Sequence, residues 1–202
     1  MDASLKIPRE IAVMILPETV LFPGGLLPLF IFEPRYRAML DDALATHRMF
    51  AIGLMLSQEE EIFPVGCVGF VRACVANPDG TSHLMLQGVG RVEFTGMLEG
   101  KPYPQASIKV LSSQSPSHDK AEIFRREIKA LAQHLPEQQA EVRRQIEGFL
   151  ERTSGLEEFS DLVSSTIISD FSIRQRLLEE LVVENRIAIL AAYITQMMRQ
   201  TE

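Results

Sequence analysis

The sequence is short of three things that would narrow its function at once: cysteine, positive charge and any unbroken apolar run. Only two cysteines occur in 202 residues, Cys67 and Cys74. They lie in a stretch that reads as strand, at an odd spacing that aims them at opposite faces if the strand is regular. A disulfide between them is not expected. With no His or Cys neighbours at ligand spacing, they read as small buried hydrophobes in a reducing, cytoplasmic compartment. Lys and Arg total 20 against 27 Asp and Glu, a net charge of −7. That field repels phosphate backbones and makes nucleic acid a poor partner. Residues 11–32 are rich in apolar side chains, yet Pro17, Glu18, Pro23, Gly24, Gly25 and Pro28 break any helix there, so no membrane span is expected. The start, with Asp2 and Glu10 around Lys6 and Arg9, lacks the basic-then-apolar order of a secretory leader.

Reaction motifs are equally scarce. A phosphate-cradling loop needs glycines, a lysine and a hydroxyl at fixed spacing, and the sole Gly-Lys pair, Gly100-Lys101, runs into Pro102. Gly88-Val89-Gly90 opens like a dinucleotide loop but lacks the third glycine, and a turn explains it better. No Gly-x-Ser-x-Gly elbow occurs, and Ser117-His118-Asp119 reads as a helix start, not a triad. The four histidines, His47, His83, His118 and His134, show no metal-ligand spacing. The acidic run Glu59-Glu60-Glu61 reads as a solvated loop tip. The expectation is a protein without catalytic residues, metal or cofactor.

What is present divides into two styles. Over residues 11–111 the apolar residues come in short bursts separated by Gly, Pro and Asn, the rhythm of strands. Asn77-Pro78-Asp79-Gly80 carries turn chemistry in order and should close a hairpin between arms 66–76 and 82–86. Gly88 and Gly90 mark a corner or bulge before a strand at 92–98, and 106–111 supplies another. One helix interrupts this region. Pro34 suits its first position, and Tyr36, Met39, Leu40, Ala43 and Leu44 follow at helical spacing to an end near Thr46 or His47. The polar segment 112–117 reads as a linker between a β-barrel subdomain, 1–111, and a helical subdomain, 118–202. In the latter, Phe124, Ile128, Leu131 and Leu135 form one stripe, Val142, Ile146 and Phe149 a second, and Leu156, Phe159, Val163 and Ile167 a third. Ser154 with Glu157 and Ser172 with Gln175 have the spacing of capping boxes. The last segment places Ile187, Leu190, Ala191, Ile194 and Met198 on one face.

Several of these segments carry a family likeness. Ile11-Ala12-Val13-Met14-Ile15-Leu16-Pro17, Val20-Leu21-Phe22-Pro23-Gly24, Pro28-Leu29 and Arg35-Tyr36-Arg37 resemble the opening signature of Lon protease N-terminal domains. Val65-Gly66-Cys67-Val68-Gly69, the Pro78-Asp79-Gly80 hairpin and Gly88-Val89-Gly90-Arg91 are similar to that family's second block. Leu162-Val163-Ser164-Ser165, Gln175-Arg176-Leu177-Leu178-Glu179 and Val183-Glu184-Asn185-Arg186 resemble its helical part, with Arg174 in place of the usual lysine. The likeness spans roughly residues 10–200. It implies an α+β fold: a PUA-like six-stranded pseudo-β-barrel with an interrupting short helix, followed by a C-terminal helical bundle. It also implies a domain that captures unfolded or tagged polypeptides, while chemistry belongs to domains outside this sequence.

The residues then suggest where such capture takes place. Leu21, Phe22, Leu29 and Ile31 are expected to fill the barrel, whereas alternation leaves Leu26, Leu27, Phe30 and Phe32 to be covered by helices or exposed as a patch. The Glu33-Pro34-Arg35 corner and Arg91 would add polar orientation, so Leu26, Leu27, Phe30, Phe32, Glu33, Arg35 and Arg91 form the candidate polypeptide-binding set. Partners of this kind are unfolded or partly folded polypeptides, with a protease or chaperone as co-worker. Homo-oligomerisation is left open by the sequence. The alternative is a PUA-like RNA- or nucleotide-binding protein, which rests on fold analogy alone and runs against the charge.

Overall fold

The computed structural model describes residues 6–55 and 62–199. They fall into two compact units, residues 1–111 and 112–202. The acidic run Glu59-Glu60-Glu61 lies outside the described residues.

The first unit is built from β1 (Glu10–Leu16), β2 (Leu26–Ile31), α1 (Pro34–Ala45), β3 (Met49–Leu54), β4 (Val65–Ala76), β5 (Ser82–Leu98) and β6 (Gln105–Val110). Sheet order is β2-β5-β4-β3-β1-β6, and β6 also pairs back onto β5. Five strands therefore close a ring, while β2 is appended to the first half of β5, which makes an unevenly closed six-stranded pseudo-barrel. Among the described strand pairs only β1 with β3 is parallel; α1 lies between them in sequence, as a parallel crossover requires. All five ring strands feed one core cluster: Ile11, Val13, Met49, Ala51, Val68, Val92 and Ala106. β2 contributes nothing to it.

The expected hairpin forms. Asp79 accepts from both the backbone N–H and the hydroxyl of Thr81, and Gly80 sits at φ +82° where an L side chain would be strained. The glycines that follow do not end a strand. β5 runs through them as a single 17-residue strand, with a register irregularity opposite Val68 and Gly69. Gly88 is needed for close approach: its N–H donates to Gly25, and a Cβ there would stand 2.0 Å from the Phe22 carbonyl oxygen. Gly88→Ala should therefore destabilise the protein by about 1–3 kcal/mol, as overpacking does, measured as a lower urea midpoint. β4 has its own irregularity at Arg72, between Val71 and Ala73, so the regular alternation assumed for Cys67 and Cys74 does not hold; the two cysteines form no disulfide.

The second unit consists of α2 (His118–Gln133), a 3-10 turn Glu137–Gln139, α3 (Ala140–Arg152), α4 (Leu156–Thr166), α5 (Phe171–Glu179) and α6 (Val183–Arg199). The apolar stripes supply its core: Ile128, Leu135, Ile146, Phe149, Leu156, Phe159, Val163, Ile187, Leu190 and Ile194 are buried. Ile168 is buried in place of Ile167, because α4 stops at Thr166 and the helical phase is lost. Neither expected capping box forms. Gly155 occupies the α4 N-cap in an extended conformation, and Asp170 caps α5 by accepting from the N–H groups of Ser172 and Ile173. A carboxylate two residues upstream takes both donors, so Ser172 is drawn into the helix.

Residues 112–117 are not a bare connection. Gln114 donates to Leu181 at 2.8 Å and accepts from Val183 at 3.0 Å, a short parallel bridge that ties the segment to the start of α6. Below it lies a buried ion pair. Arg186 on α6, with no exposed side-chain surface, donates to Asp161 on α4 at 2.7 Å and to the hydroxyls of Ser160 at 3.2 Å and Ser113 at 2.6 Å. Arg125 on α2 donates to the carbonyls of Leu150 and Thr153, where α3 leaves acceptors unused.

Candidate functional site

Strand β2 decides where apolar surface reaches solvent. Alternation turns Ile31 inward, with Leu27 and Leu29 partly buried, and turns Leu26, Pro28 and Phe30 outward; Phe32 continues the outward series past the strand's end. Leu21 and Phe22, just upstream, are fully packed. Leu26, Phe30 and Phe32 are 62%, 49% and 59% exposed, values unusual for side chains of this size.

The row continues across neighbouring strands. Phe30 lies opposite His83 on β5, which lies opposite Val75 on β4, itself 65% exposed. The Phe30 ring stacks on His83 at 4.7 Å between centroids and on Phe32 at 5.8 Å. Pro28 faces Met85, which faces Ala73. Along these two rows the outward face of β2, β5 and β4 carries apolar side chains and His83, with the exposed Arg72 bulged out beside Ala73.

Of the other expected site residues, Glu33 and Arg35 sit at the end of this row. Glu33 is the N-cap position of α1, and Arg35 donates to its carboxylate at 2.9 Å while lying over the Tyr36 ring at 4.6 Å. Tyr36 anchors the helix by exchanging hydrogen bonds with the backbone of Ile15. Arg91 does not join them. Its side chain is 2% exposed on β5, where it cannot meet a polypeptide at the surface. Gly-x-x-Arg patterns read as turns, whereas β5 continues through its irregularity at Gly88 and Gly90 and carries Arg91 into the packed interior. His83 and Val75 were missed from sequence, although counting back from the hairpin pairs them.

A polar cluster lies elsewhere in the same unit. Asp42 near the end of α1 accepts from Lys101 at 2.8 Å and from the Tyr103 hydroxyl at 2.5 Å, beside a cavity of about 280 Å³ that His47 also lines. Those two donors, Lys101 foremost, hold the Asp42 carboxyl below its usual range. Burial, and then the Asp42 carboxylate, push the Tyr103 phenol up to about 12. A depressed carboxyl contributes stability above its unfolded value of 3.8 and loses it as pH falls through the folded value. The raised phenol contributes below its unfolded value of 10.0 and loses that as pH rises through about 12. Tyr103→Phe should lower the melting temperature at neutral pH, and the gap from the parent protein should narrow as pH drops below 3.8.

Among the described residues no group of His, Cys, Asp and Glu could hold a metal ion, and no helix is long and apolar enough to cross a membrane. Residues 10–196 match the family model of the ATP-dependent protease La (LON) substrate-binding domain. The chain belongs to that family. Lon protease 2 of Herpetosiphon aurantiacus is 28% identical over 200 residues, covering 93% of this chain and 24% of the relative. Lon protease of Dictyoglomus thermophilum is 22% identical over 97% of this chain and 25% of its own length. The chain therefore spans about a quarter of these curated relatives. The N-terminal domain of Mycobacterium avium complex Lon protease superposes with a TM-score of 0.71 at 17% identity, covering 92% of this chain and 98% of that one. A Lon N-terminal domain protein from Xanthomonas campestris gives 0.67 at 16%, with coverage of 91% and 98%. The α+β arrangement, strands followed by helices, is thus that of Lon N-terminal domains.

Proposed function

We propose that this chain is a non-catalytic polypeptide-binding module that holds apolar segments of unfolded or partly folded proteins and acts as adaptor to a protease or chaperone. The barrel unit carries the contact surface. One observation carries the reading: Leu26, Phe30 and Phe32 stand exposed in a row, on a chain whose family binds substrates. Covering one such side chain contributes about 1.5–3 kcal/mol before the costs of ordering a client, so contact is reversible and suits holding.

The test uses one disulfide-containing protein in two forms, folded and unfolded by reduction and alkylation, each titrated by fluorescence anisotropy. Binding of the unfolded form alone is expected; equal binding of both, or of neither, rejects the proposal. The net charge of −7 argues against the RNA reading, and retention of RNA in a salt-titrated filter assay would revive it.

A further inference from the structure

The exposed row belongs to a strand that also has an open edge. Among the described strands, β2 pairs with β5 alone. Gly88 donates to Gly25 at 2.9 Å, and that pair continues the register in which Leu26 lies opposite Gln87. An antiparallel ladder bonds every second residue. Leu27, Leu29 and Ile31 therefore direct their backbone groups to β5, while Leu26, Pro28 and Phe30 direct theirs to the open side. Pro28 falls on that side, where a missing N–H costs the ladder nothing. The open edge thus offers carbonyls at all three positions and N–H groups at Leu26 and Phe30.

We infer that the client is bound as an added β-strand along the open edge of β2, with its alternate apolar side chains laid beside Leu26, Pro28 and Phe30. This rests on the polypeptide-binding reading above and specifies its substrate: an extended segment alternating bulky apolar with neutral residues and free of proline. Six strand residues span about 20 Å, room for five or six client residues. Main-chain bonds then supply sequence-independent affinity, and the aromatic row selects apolar side chains. A second copy of this chain is the poorer occupant. Two β2 edges paired antiparallel about Pro28 would set Pro28 against Pro28 with no donor on either side, paired about Leu29 they would lose a bond at each of two Pro28–Phe30 pairs, and each copy carries a net charge of −7.

The experiment titrates the full chain with a fluorescein-labelled decapeptide whose central six residues alternate Val or Phe with Thr. Two further versions are N-methylated at two central residues, either the apolar pair or the Thr pair. Methylation deletes donors and leaves side chains in place. Strand addition predicts that one alternate set weakens binding by about tenfold and the other by less than twofold, since only one set bonds to β2. Equal effects of both sets, or no effect of either, overturn the inference while leaving polypeptide binding intact. Failure of the unmodified peptide to bind overturns both. A dimer that the peptide disperses, seen by sedimentation, assigns the edge to a second copy and overturns the inference.

Discussion

Asp161→Ala is expected to lower the stability of the chain by about 3–5 kcal/mol, because it takes from the buried Arg186 guanidinium the one buried carboxylate that it meets at hydrogen-bond distance among the described residues. Arg186 has no exposed side-chain surface, Asp161 only 2%, and the two meet at 2.7 Å. The hydroxyls of Ser160 and Ser113 also accept from Arg186 but cannot neutralise the charge, and the Glu157 carboxylate, 3.9 Å away and partly in solvent, does so weakly. Chemical denaturation of the full chain measures the loss. Replacing both partners with apolar residues, Asp161→Leu with Arg186→Met, should recover much of it, since the cost lies in the orphaned charge. A double variant as unstable as Asp161→Ala would show that the pair's hydrogen bonds matter more than its charge. The pair joins α4 to α6, and through Ser113 it holds the segment that enters the helical unit.

Phe30→Ser with Phe32→Ser should weaken binding of an unfolded protein by at least about tenfold, roughly 1.4 kcal/mol, because stacked aromatics at the centre of a contact tend to dominate its energy. Both rings are about half exposed or more, so the same variant should leave folding stability within about 0.5 kcal/mol of the parent. That separation is the useful part. Loss of binding with an unchanged urea midpoint places the effect at the surface, whereas unchanged binding removes the aromatic row from the proposed function. Leu29→Ser, on the inward side of the same strand, is the matched control and should affect stability more than binding.

Much of this organisation is legible in the sequence, for reasons visible residue by residue. Pro34 and the spacing of Tyr36, Met39, Leu40 and Ala43 mark α1, because proline at a helix start and a 3.6-residue period are local properties. Asn77-Pro78-Asp79-Gly80 marks its hairpin for the same reason. The Ser172 capping box fails because Asp170 starts the helix two residues earlier and accepts from Ser172 and Ile173, which puts Ser172 inside α5, and spacing alone cannot rank the two candidate starts. Arg91 fails as a surface residue because a glycine pair can lie within a long strand as readily as end one.

Local pattern therefore determined the element types, the division between strand-rich and helix-rich halves, the absence of reaction motifs and the alternation that makes one side of residues 26–32 apolar. Only tertiary structure decided which side of β2 meets solvent, that β5 is its one partner among the described strands, that His83 and Val75 extend the aromatic row, and that Arg186 finds Asp161. The physical reason is common to all four. Hydrogen-bond period and turn geometry act between residues close in the chain, whereas burial and charge pairing depend on distant segments that meet only when the fold closes.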